Sequence, residues 1–136
     1  MSLRKPILVV AALIERDGQV LIGQRKRNDR HPLKWEFPGG KVESGESPRA
    51  ALARELQEEL QVEARIGPEV ARYEHAYPKR APILIIFFRV EAFSGDPVAH
   101  EFEQIAWVPP ERLPEYDFLD GDLDFVQRLS RGRVRL

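Results

Sequence analysis

The sequence predicts a single domain of the α/β (α+β) class over residues 1–136, with a mixed β-sheet, one long helix in the middle and one at the end. Three observations lead to this fold class. Several short apolar runs are rich in Val, Ile and Phe, which is typical of strands. One stretch has apolar residues at helical spacing. The length of 136 residues, 43% of them hydrophobic and 32% charged, suits one core.

The first elements are predicted strands. The apolar run Ile7 to Ile14 is followed by Asp17-Gly18 and then by "QVLIGQR", which predicts two strands around a tight turn. The cations Arg4 and Lys5 precede the first run, so a secretory signal is an alternative, but its cleavage would remove the first strand. No apolar run approaches the roughly 20 residues that span a bilayer. We therefore expect a soluble, cytoplasmic protein that does not bind membranes.

The middle of the chain combines a long polar loop with the main helix. Residues 26–48, "KRNDRHPLKWEFPGGKVESGESP", are punctuated by Pro and Gly and predict a loop of the length that is more often functional than idle. Ser47 and Pro48 are suited to the N-cap and first position of a helix, which "RAALARELQEEL" continues.

The second half of the chain predicts three more strands and a terminal helix. "EVARYEHAY" (69–77) and "PILIIFFRVEAF" (82–93) are predicted strands joined at "PKRAP", and the second is apolar enough to be central in a sheet. A loop over 94–104, a short strand in "IAWVPP" and a helix in "GDLDFVQRLSR" (121–131) complete the prediction.

Composition excludes several kinds of site. The chain has no cysteine, which excludes disulfides, thiol catalysis and Cys-ligated zinc. Lys plus Arg (21) nearly balance Asp plus Glu (22), so the overall charge does not indicate a partner that is a nucleic-acid polymer or an acidic membrane. The histidines, at 31, 75 and 100, lack metal-ligand spacing.

The predicted central helix crowds three carboxylates into one turn. Leu52, Ala53, Leu56 and Leu60 are expected on the face that packs against the sheet. A neighbouring arc holds the acids and one small residue: Ala51, Glu55, Glu58 and Glu59.

Two explanations fit the carboxylate cluster. A solvated helix face is the general one. However, like charges at i, i+3 and i, i+4 repel by about 0.2–0.5 kcal/mol per pair, and the helix dipole disfavours anions near its C-terminus. A divalent cation would reverse both penalties, and Mg²⁺ prefers such oxygen ligands. Gly39 and Gly40, just before the helix, could add a backbone carbonyl ligand, or could form a plain tight turn.

The segment from Gly40 to Val62 resembles the Nudix box, G-x5-E-x7-R-E-U-x-E-E-x-G-U. Glu46 and "RELQEEL" occupy the motif positions, and Gln61 stands where the family has glycine. A residue with a Cβ in a left-handed helix end costs on the order of 1 kcal/mol, so this departure concerns the helix end and not the acids. The similarity extends over almost the whole chain and is greatest to MutT-like nucleoside triphosphate pyrophosphohydrolases.

The resemblance implies a Nudix fold, a mixed sheet between helices, and Mg²⁺ or Mn²⁺ on the box helix. It implies metal ligands at Gly39 (through its carbonyl), Glu55, Glu58, Glu59 and Glu101. Glu103, next to Glu101, is the alternative loop acid, and a surface role for Glu101 also fits. Arg54 is expected to orient the glutamates, and Glu55 is the first choice for the general base.

Four residues match positions where MutT-like proteins bind substrate. Arg25 matches a phosphate-binding arginine, although a strand-end charge beside Lys26 and Arg27 would look the same. Phe37, Arg80 and Asp122 lie where such proteins contact the nucleobase. A helix N-cap is the alternative role of Asp122.

The implied reaction is attack of water on the β-phosphorus of an NTP, which yields NMP and pyrophosphate. Expected substrates are oxidised or non-standard (d)NTPs such as 8-oxo-dGTP, which would place the protein in nucleotide-pool sanitation and DNA repair. Alternatives are (d)CTP, ADP-ribose or dinucleoside polyphosphates. A nucleotide-sensing module without catalysis is the non-enzymatic alternative. The chain is expected to be a monomer or homodimer.

Overall fold

The computed structural model describes residues 5–136; the four residues before them, including Arg4 of the alternative signal segment, lie outside it. Within residues 5–136, the fold consists of two α-helices and eight strands. They are β1 (Ile7–Leu13), β2 (Glu15–Arg16), β3 (Gln19–Gln24), β4 (Trp35–Glu36), β5 (Gly39–Lys41), α1 (Pro48–Leu60), β6 (Glu63–His75), β7 (Ile83–Ser94), β8 (Gln104–Val108) and α2 (Leu123–Ser130). Short 3₁₀ helices span Pro110–Glu115 and Asp120–Asp122.

The strands are divided between two four-stranded sheets. The first has the order β5-β1-β7-β6, in which β1 and β7 run parallel and the other pairs antiparallel. In the second, β3 pairs with β2, β4 and β8. The mixed sheet and the α/β (α+β) class are therefore confirmed, as is the interior position of the apolar strand β7.

The predicted opening hairpin is wrong in its first strand. The turn at Asp17 (φ 54°) and Gly18 (φ 78°) closes a hairpin of β3 with the two-residue strand β2, whereas β1 pairs with β5 and β7 in the other sheet. The reason is burial: the residues from Val10 to Ile14 are at most 4% exposed, so β1 needs neighbours and covering layers on both faces.

Alternation along the central strands creates two core layers. Val10 and Ala12 of β1 pack in a cluster with Leu52 and Leu56 of α1. Ala11 and Leu13 point the other way and pack in a cluster with residues of α2, including Phe125 and Val126. The sheet thus lies between α1 and α2, as the period of two along a strand requires.

The polar stretch 26–48 is not a continuous loop, because it contains β4 and β5. Gly39 and Gly40 pair with Ala11 and Val10 of β1, so the tight-turn alternative for the two glycines is wrong. A Cβ on Gly39 would lie 1.9 Å from the Val10 carbonyl oxygen. Glycine therefore allows a strand to run closer to β1 than any side chain would permit.

Helix α1 begins as predicted but presents a different face to the core. Ser47 accepts a hydrogen bond from Ala50 N, and Pro48 is the first helical residue. Ala51 is fully buried and Ala53 only half-buried, which reverses the predicted positions of these alanines. The packed face is therefore rotated toward the carboxylates, and this rotation buries Glu59.

The C-terminal part departs from prediction at its helix start. A 3₁₀ turn occupies Asp120–Asp122, and α2 begins at Leu123. Asp122 is the N-cap residue of α2 but makes no side-chain capping bond; its carboxylate accepts instead from Phe37 N, between β4 and β5. Strand β6 begins at Glu63, six residues earlier than predicted.

Within residues 5–136, no helix has the length and hydrophobicity to cross a membrane.

Candidate active site

Arg54 is the centre of an ion-pair cluster on α1. Its Nε and Nη2 donate to both carboxylate oxygens of Glu46, at 2.7 and 2.9 Å. Its Nη1 donates to Glu55 at 2.9 Å and to Glu58 at 3.3 Å, and Nη2 also reaches the Lys41 carbonyl at 3.2 Å. The bonds that Glu46 accepts from Arg54, and then the one from Glu43 N, lower its pKa to about 2. Arg54 therefore fixes the carboxylates of Glu55 and Glu58 relative to the loop that precedes the helix.

Glu59 is buried, although it belongs to the same helical turn. Its Oε1 accepts a hydrogen bond of 2.9 Å from Gly39 N. Burial raises its pKa to about 9, and the nearby carboxylates of Glu36, Glu55 and Glu101 add to the shift. The pKa of Glu55 is also raised, first by burial and against the effect of Arg54. Burial and mutual repulsion thus oppose the ionisation of these carboxyl groups, and the cation Arg54 offsets this effect only in part.

The donor set fits a hard divalent cation, because it consists of carboxylates with uncompensated charge. In residues 5–136, however, no three acidic or histidine side chains already converge in metal-ligating geometry. The contacts explain why: Arg54 draws Glu55 and Glu58 to one side, and Gly39 N holds Glu59 on the other. The predicted side-chain ligands are nevertheless near one another, because Glu58 and Glu101 contribute to the raised pKa of Glu55, and Glu55 and Glu101 to that of Glu59.

The two acids of loop 94–104 face different neighbours. Glu101 N donates to the Glu59 carbonyl at 3.4 Å, and the Glu101 carboxylate contributes to the raised pKa values of Glu55 and Glu59. Glu103 instead forms an ion pair of 3.1 Å with Arg27. Of the two, Glu101 is therefore the acid beside the helix carboxylates.

A cavity of about 600 Å³ opens beside this cluster, between β1, β5 and the 3₁₀ turn at Asp120–Asp122. All four predicted substrate-binding residues line this cavity: Arg25, Phe37, Arg80 and Asp122. Gly39 and Gly40 also line it, so the cavity and the α1 carboxylates share the strand β5. Arg30, His31 and Lys34 add further cationic or titratable groups around it.

Arg25 is held on the cavity wall by three acceptors. It donates to the Arg30 carbonyl at 2.5 Å and to Glu36 at 3.2 Å, and it pairs with Asp29 at 3.2 Å. These contacts hold its guanidinium beside the cavity, and they fit both the predicted phosphate-binding role and the strand-end charge that was the alternative.

Asp122 and Phe37, which both line the cavity, are joined by a hydrogen bond. Asp122 is buried, and its Oδ2 accepts a hydrogen bond of 3.2 Å from Phe37 N. Burial raises the pKa of Asp122 to about 8, with a smaller contribution from Glu36. The ring of Phe37 is only 2% exposed and packs against three phenylalanines, Phe87, Phe118 and Phe125, so most of it belongs to the core.

Glu36 and Tyr77 are two of the cavity residues that received no predicted role. Glu36 lines the cavity, binds Arg25 and has a pKa raised to about 7, mainly by burial. A lone acid between Trp35 and Phe37 was the available signal. Tyr77 also lines the cavity beside Arg80, and its ring contacts that of His75 at 4.5 Å between centroids. The Tyr and Pro within Ala76 to Arg80 were a signal for the substrate class, but they did not decide it.

A substitution at Gly40 tests whether the position of the Glu55 carboxylate matters for activity. A Cβ at residue 40 would lie 2.5 Å from Glu55 Cδ, so Gly40→Ala is expected to displace this flexible carboxylate and to lower turnover about tenfold with little change in Tm. Gly45→Ala is the contrasting control. Residue 45 has φ +84° and an unobstructed Cβ position, so this change should cost about 1 kcal/mol of stability and leave turnover unchanged. Equal turnover in both variants would contradict the expectation.

Comparison with known proteins supports one family. The NUDIX domain matches residues 4–129. CTP pyrophosphohydrolase of Escherichia coli (strain K12) is 42% identical over 130 residues, which cover 96% of each chain. 8-oxo-dGTP diphosphatase of Haemophilus influenzae (strain ATCC 51907 / DSM 11121 / KW20 / Rd) is 33% identical over 127 residues, 93% of each chain.

Solved structures agree with this result. The E. coli ORF135 protein aligns with a TM-score of 0.85 and 39% identity, covering 96% of this chain and 92% of that one. The MutT protein from Methanosarcina mazei Go1 aligns with a TM-score of 0.82 and 28% identity, over 97% and 99%. With the family match over nearly the whole chain and the box carboxylates gathered on α1, the chain belongs to the Nudix hydrolase family.

Proposed function

We propose that the protein is a Mg²⁺-dependent nucleoside triphosphate pyrophosphohydrolase of the MutT type, which converts a (d)NTP and water to a nucleoside monophosphate and pyrophosphate. One observation carries the proposal: the cavity connects the predicted base-contacting residues with strand β5, whose glycines adjoin the carboxylates of α1. A nucleotide that lies along the cavity would have its base near Asp122 and its phosphates near Arg25 and Glu55.

The carboxylates of Glu55, Glu58, Glu59 and Glu101, with the Gly39 carbonyl, would hold the divalent cation. Nudix hydrolases generally use divalent metals such as Mg²⁺. When bound, Mg²⁺ neutralises phosphate charge and makes water more acidic; Mn²⁺ can supply the same chemistry. The raised pKa values of Glu55 and Glu59 support this role, because a bound cation would offset both the burial and the like-charge repulsion that raise them.

The chain's own groups position the reactants. Glu55 is the proposed general base: its raised pKa brings it nearer to the working pH, and Arg54 holds its carboxylate in one orientation. The guanidinium of Arg25, fixed by Glu36 and the Arg30 carbonyl, is proposed to bind phosphate. Arg80 is a second cation that lines the cavity, and it is proposed to lie near the nucleobase of the substrate.

Base recognition is assigned to Asp122 and its neighbours. A buried carboxyl with a pKa of about 8 is protonated at neutral pH, so it can donate one hydrogen bond and accept another. Guanine-type and cytosine bases both present such paired groups. The relatives named above act, by their names, on 8-oxo-dGTP and on CTP. We propose oxidised or non-standard (d)NTPs such as 8-oxo-dGTP as substrates, with (d)CTP as the second candidate, and a cytoplasmic role in nucleotide-pool sanitation and DNA repair.

A substrate screen tests the proposal. Release of pyrophosphate and of the nucleoside monophosphate should be measured with Mg²⁺, with Mn²⁺ and with EDTA. The substrates are 8-oxo-dGTP, (d)CTP, the other (d)NTPs, ADP-ribose and dinucleoside polyphosphates. We expect turnover of at least one triphosphate, with pyrophosphate as product, and loss of turnover in EDTA. Turnover of ADP-ribose alone would overturn the MutT-type assignment. Tight nucleotide binding without any turnover would instead indicate a sensing module.

A further inference from the structure

Loop 94–104 is attached to the end of α1 at several points. Val98 N donates to the Leu60 carbonyl at 3.0 Å, and Glu101 N donates to the Glu59 carbonyl at 3.4 Å. Between these contacts, Gln61 Nε2 lies 3.2 Å from His100 Nδ1. Since the amide nitrogen donates, Nδ1 is the acceptor and the imidazole proton lies on Nε2. The residue before Glu101 is therefore bonded to the residue that ends the helix.

Gln61 occupies a position for which it is poorly suited by conformation. Its φ of 59° and ψ of 39° lie in the left-handed region, and its N–H donates to the Gln57 carbonyl. Glycine adopts this conformation without steric cost, and it is the residue expected here from the box pattern. A glycine would close the helix equally well but would have no side chain to reach His100. The strain at Gln61 is thus accompanied by one specific contact.

We propose that Gln61 and His100 are positioning residues that hold loop 94–104 so that Glu101 faces the carboxylates of α1. The inference rests on the proposed metal site, to which Glu101 contributes. It assigns a role to the one position at which the chain departs from the Nudix box.

The surroundings of the loop support this role. On the C-terminal side of Glu101, Phe102 is 4% exposed and packs against Gly23, and Glu103 N donates to the Gln24 carbonyl at 2.8 Å. On the N-terminal side, Gln61 provides the side-chain bond nearest to Glu101. The segment is therefore anchored on β3 by one end and on α1 by the other.

Two variants remove the contact from opposite ends. Gln61→Gly also relieves the left-handed strain, and His100→Ala leaves the helix cap unchanged. For both, we expect Mn²⁺ binding to the nucleotide-free protein, followed by the EPR signal of free Mn²⁺, to weaken about three- to tenfold. The Glu101 amide should exchange its hydrogen faster. Gln61→Gly should nevertheless have a Tm equal to or above that of the parent, so metal affinity would fall without a loss of stability.

Three further variants complete the test. His100→Asn should restore affinity, because its Oδ1 can replace Nδ1 as acceptor. The double variant Gln61→Gly/His100→Ala should bind Mn²⁺ no more weakly than either single variant, since both remove one contact. Glu101→Gln distinguishes the proposed metal site from the proposed positioning role of Gln61 and His100. If Glu101→Gln has no effect on Mn²⁺ binding, the proposed metal site fails at this residue. If it weakens binding while Gln61→Gly and His100→Ala do not, or if Tm falls together with affinity in Gln61→Gly, the positioning role alone is refuted.

Discussion

Glu59→Gln is expected to abolish turnover and, at the same time, to stabilise the metal-free fold. The amide is nearly isosteric with the carboxylate, and its oxygen can still accept the hydrogen bond from Gly39 N. It cannot, however, provide an anionic metal ligand, so turnover should fall by at least about 10³-fold. This loss and the gain in stability come from the same buried carboxyl group.

The sign of the stability change follows from the pKa of Glu59. The folded-state pKa is raised from 4.5 to about 9. Between these two pH values the carboxyl ionises in the unfolded chain and stays protonated in the folded one, so rising pH favours unfolding by up to about 1.4 kcal/mol per pH unit. Glutamine does not titrate. In EDTA, the Tm of Glu59→Gln should therefore exceed that of the parent increasingly from pH 5 to pH 8.

Glu58→Gln is the matched variant on the same helix. The Glu58 side chain is 50% exposed, so its removal relieves no buried charge, and Tm should change little while turnover is lost. Glu103→Gln, beside the site but paired with Arg27, should retain turnover. Thermal unfolding over pH and pyrophosphate release would measure both effects. Full turnover in Glu59→Gln, or a Tm gain in Glu58→Gln equal to that in Glu59→Gln, would contradict this account.

The parts of the fold that depend on local pattern could be predicted from sequence. Ser47, Pro48 and the apolar period of α1 determine a helix through contacts within a few residues, and the apolar run of β7 indicates an interior strand. The box carboxylates were recognised because their spacing is itself the signal. The division of the strands between two sheets could not be predicted in this way. The pairing of β1 with β7 joins residues 76 positions apart in the chain, such as Ile7 and Ile83.

The parts of the site that depend on tertiary burial could not be predicted. Glu58 and Glu59 are adjacent and identical in sequence, yet one is half-exposed and the other buried, because the packed face of α1 is rotated toward the carboxylates. Glu36 and Asp122 lie 86 positions apart and influence each other's environment only after β4 and the 3₁₀ turn come together. Charge and spacing indicate which groups are present, and packing decides which of them are desolvated.

Asp122→Asn should separate the structural cost of Asp122 from its effect on substrate choice. Burial raises the pKa of Asp122 from 3.8 to about 8, so the parent is expected to lose stability as pH rises from about 4 to about 8. Asparagine has no charge to desolvate, and its Oδ1 can still accept from Phe37 N. The variant should therefore unfold at higher temperature than the parent at pH 7, with a weaker dependence on pH across that interval.

Substrate preference should change for a related reason. Below its pKa, the Asp122 carboxyl offers one donor and one acceptor; above it, the carboxylate only accepts. In the parent, the ratio of kcat/KM for 8-oxo-dGTP to that for CTP should therefore change by about tenfold between pH 7 and pH 9, because a base group that needs a donor loses its partner. In Asp122→Asn the donor and acceptor persist at every pH, so the ratio should stay constant. A parent ratio that does not vary with pH, or a variant ratio that varies as the parent's does, would show that Asp122 supports the cavity floor without contacting the base.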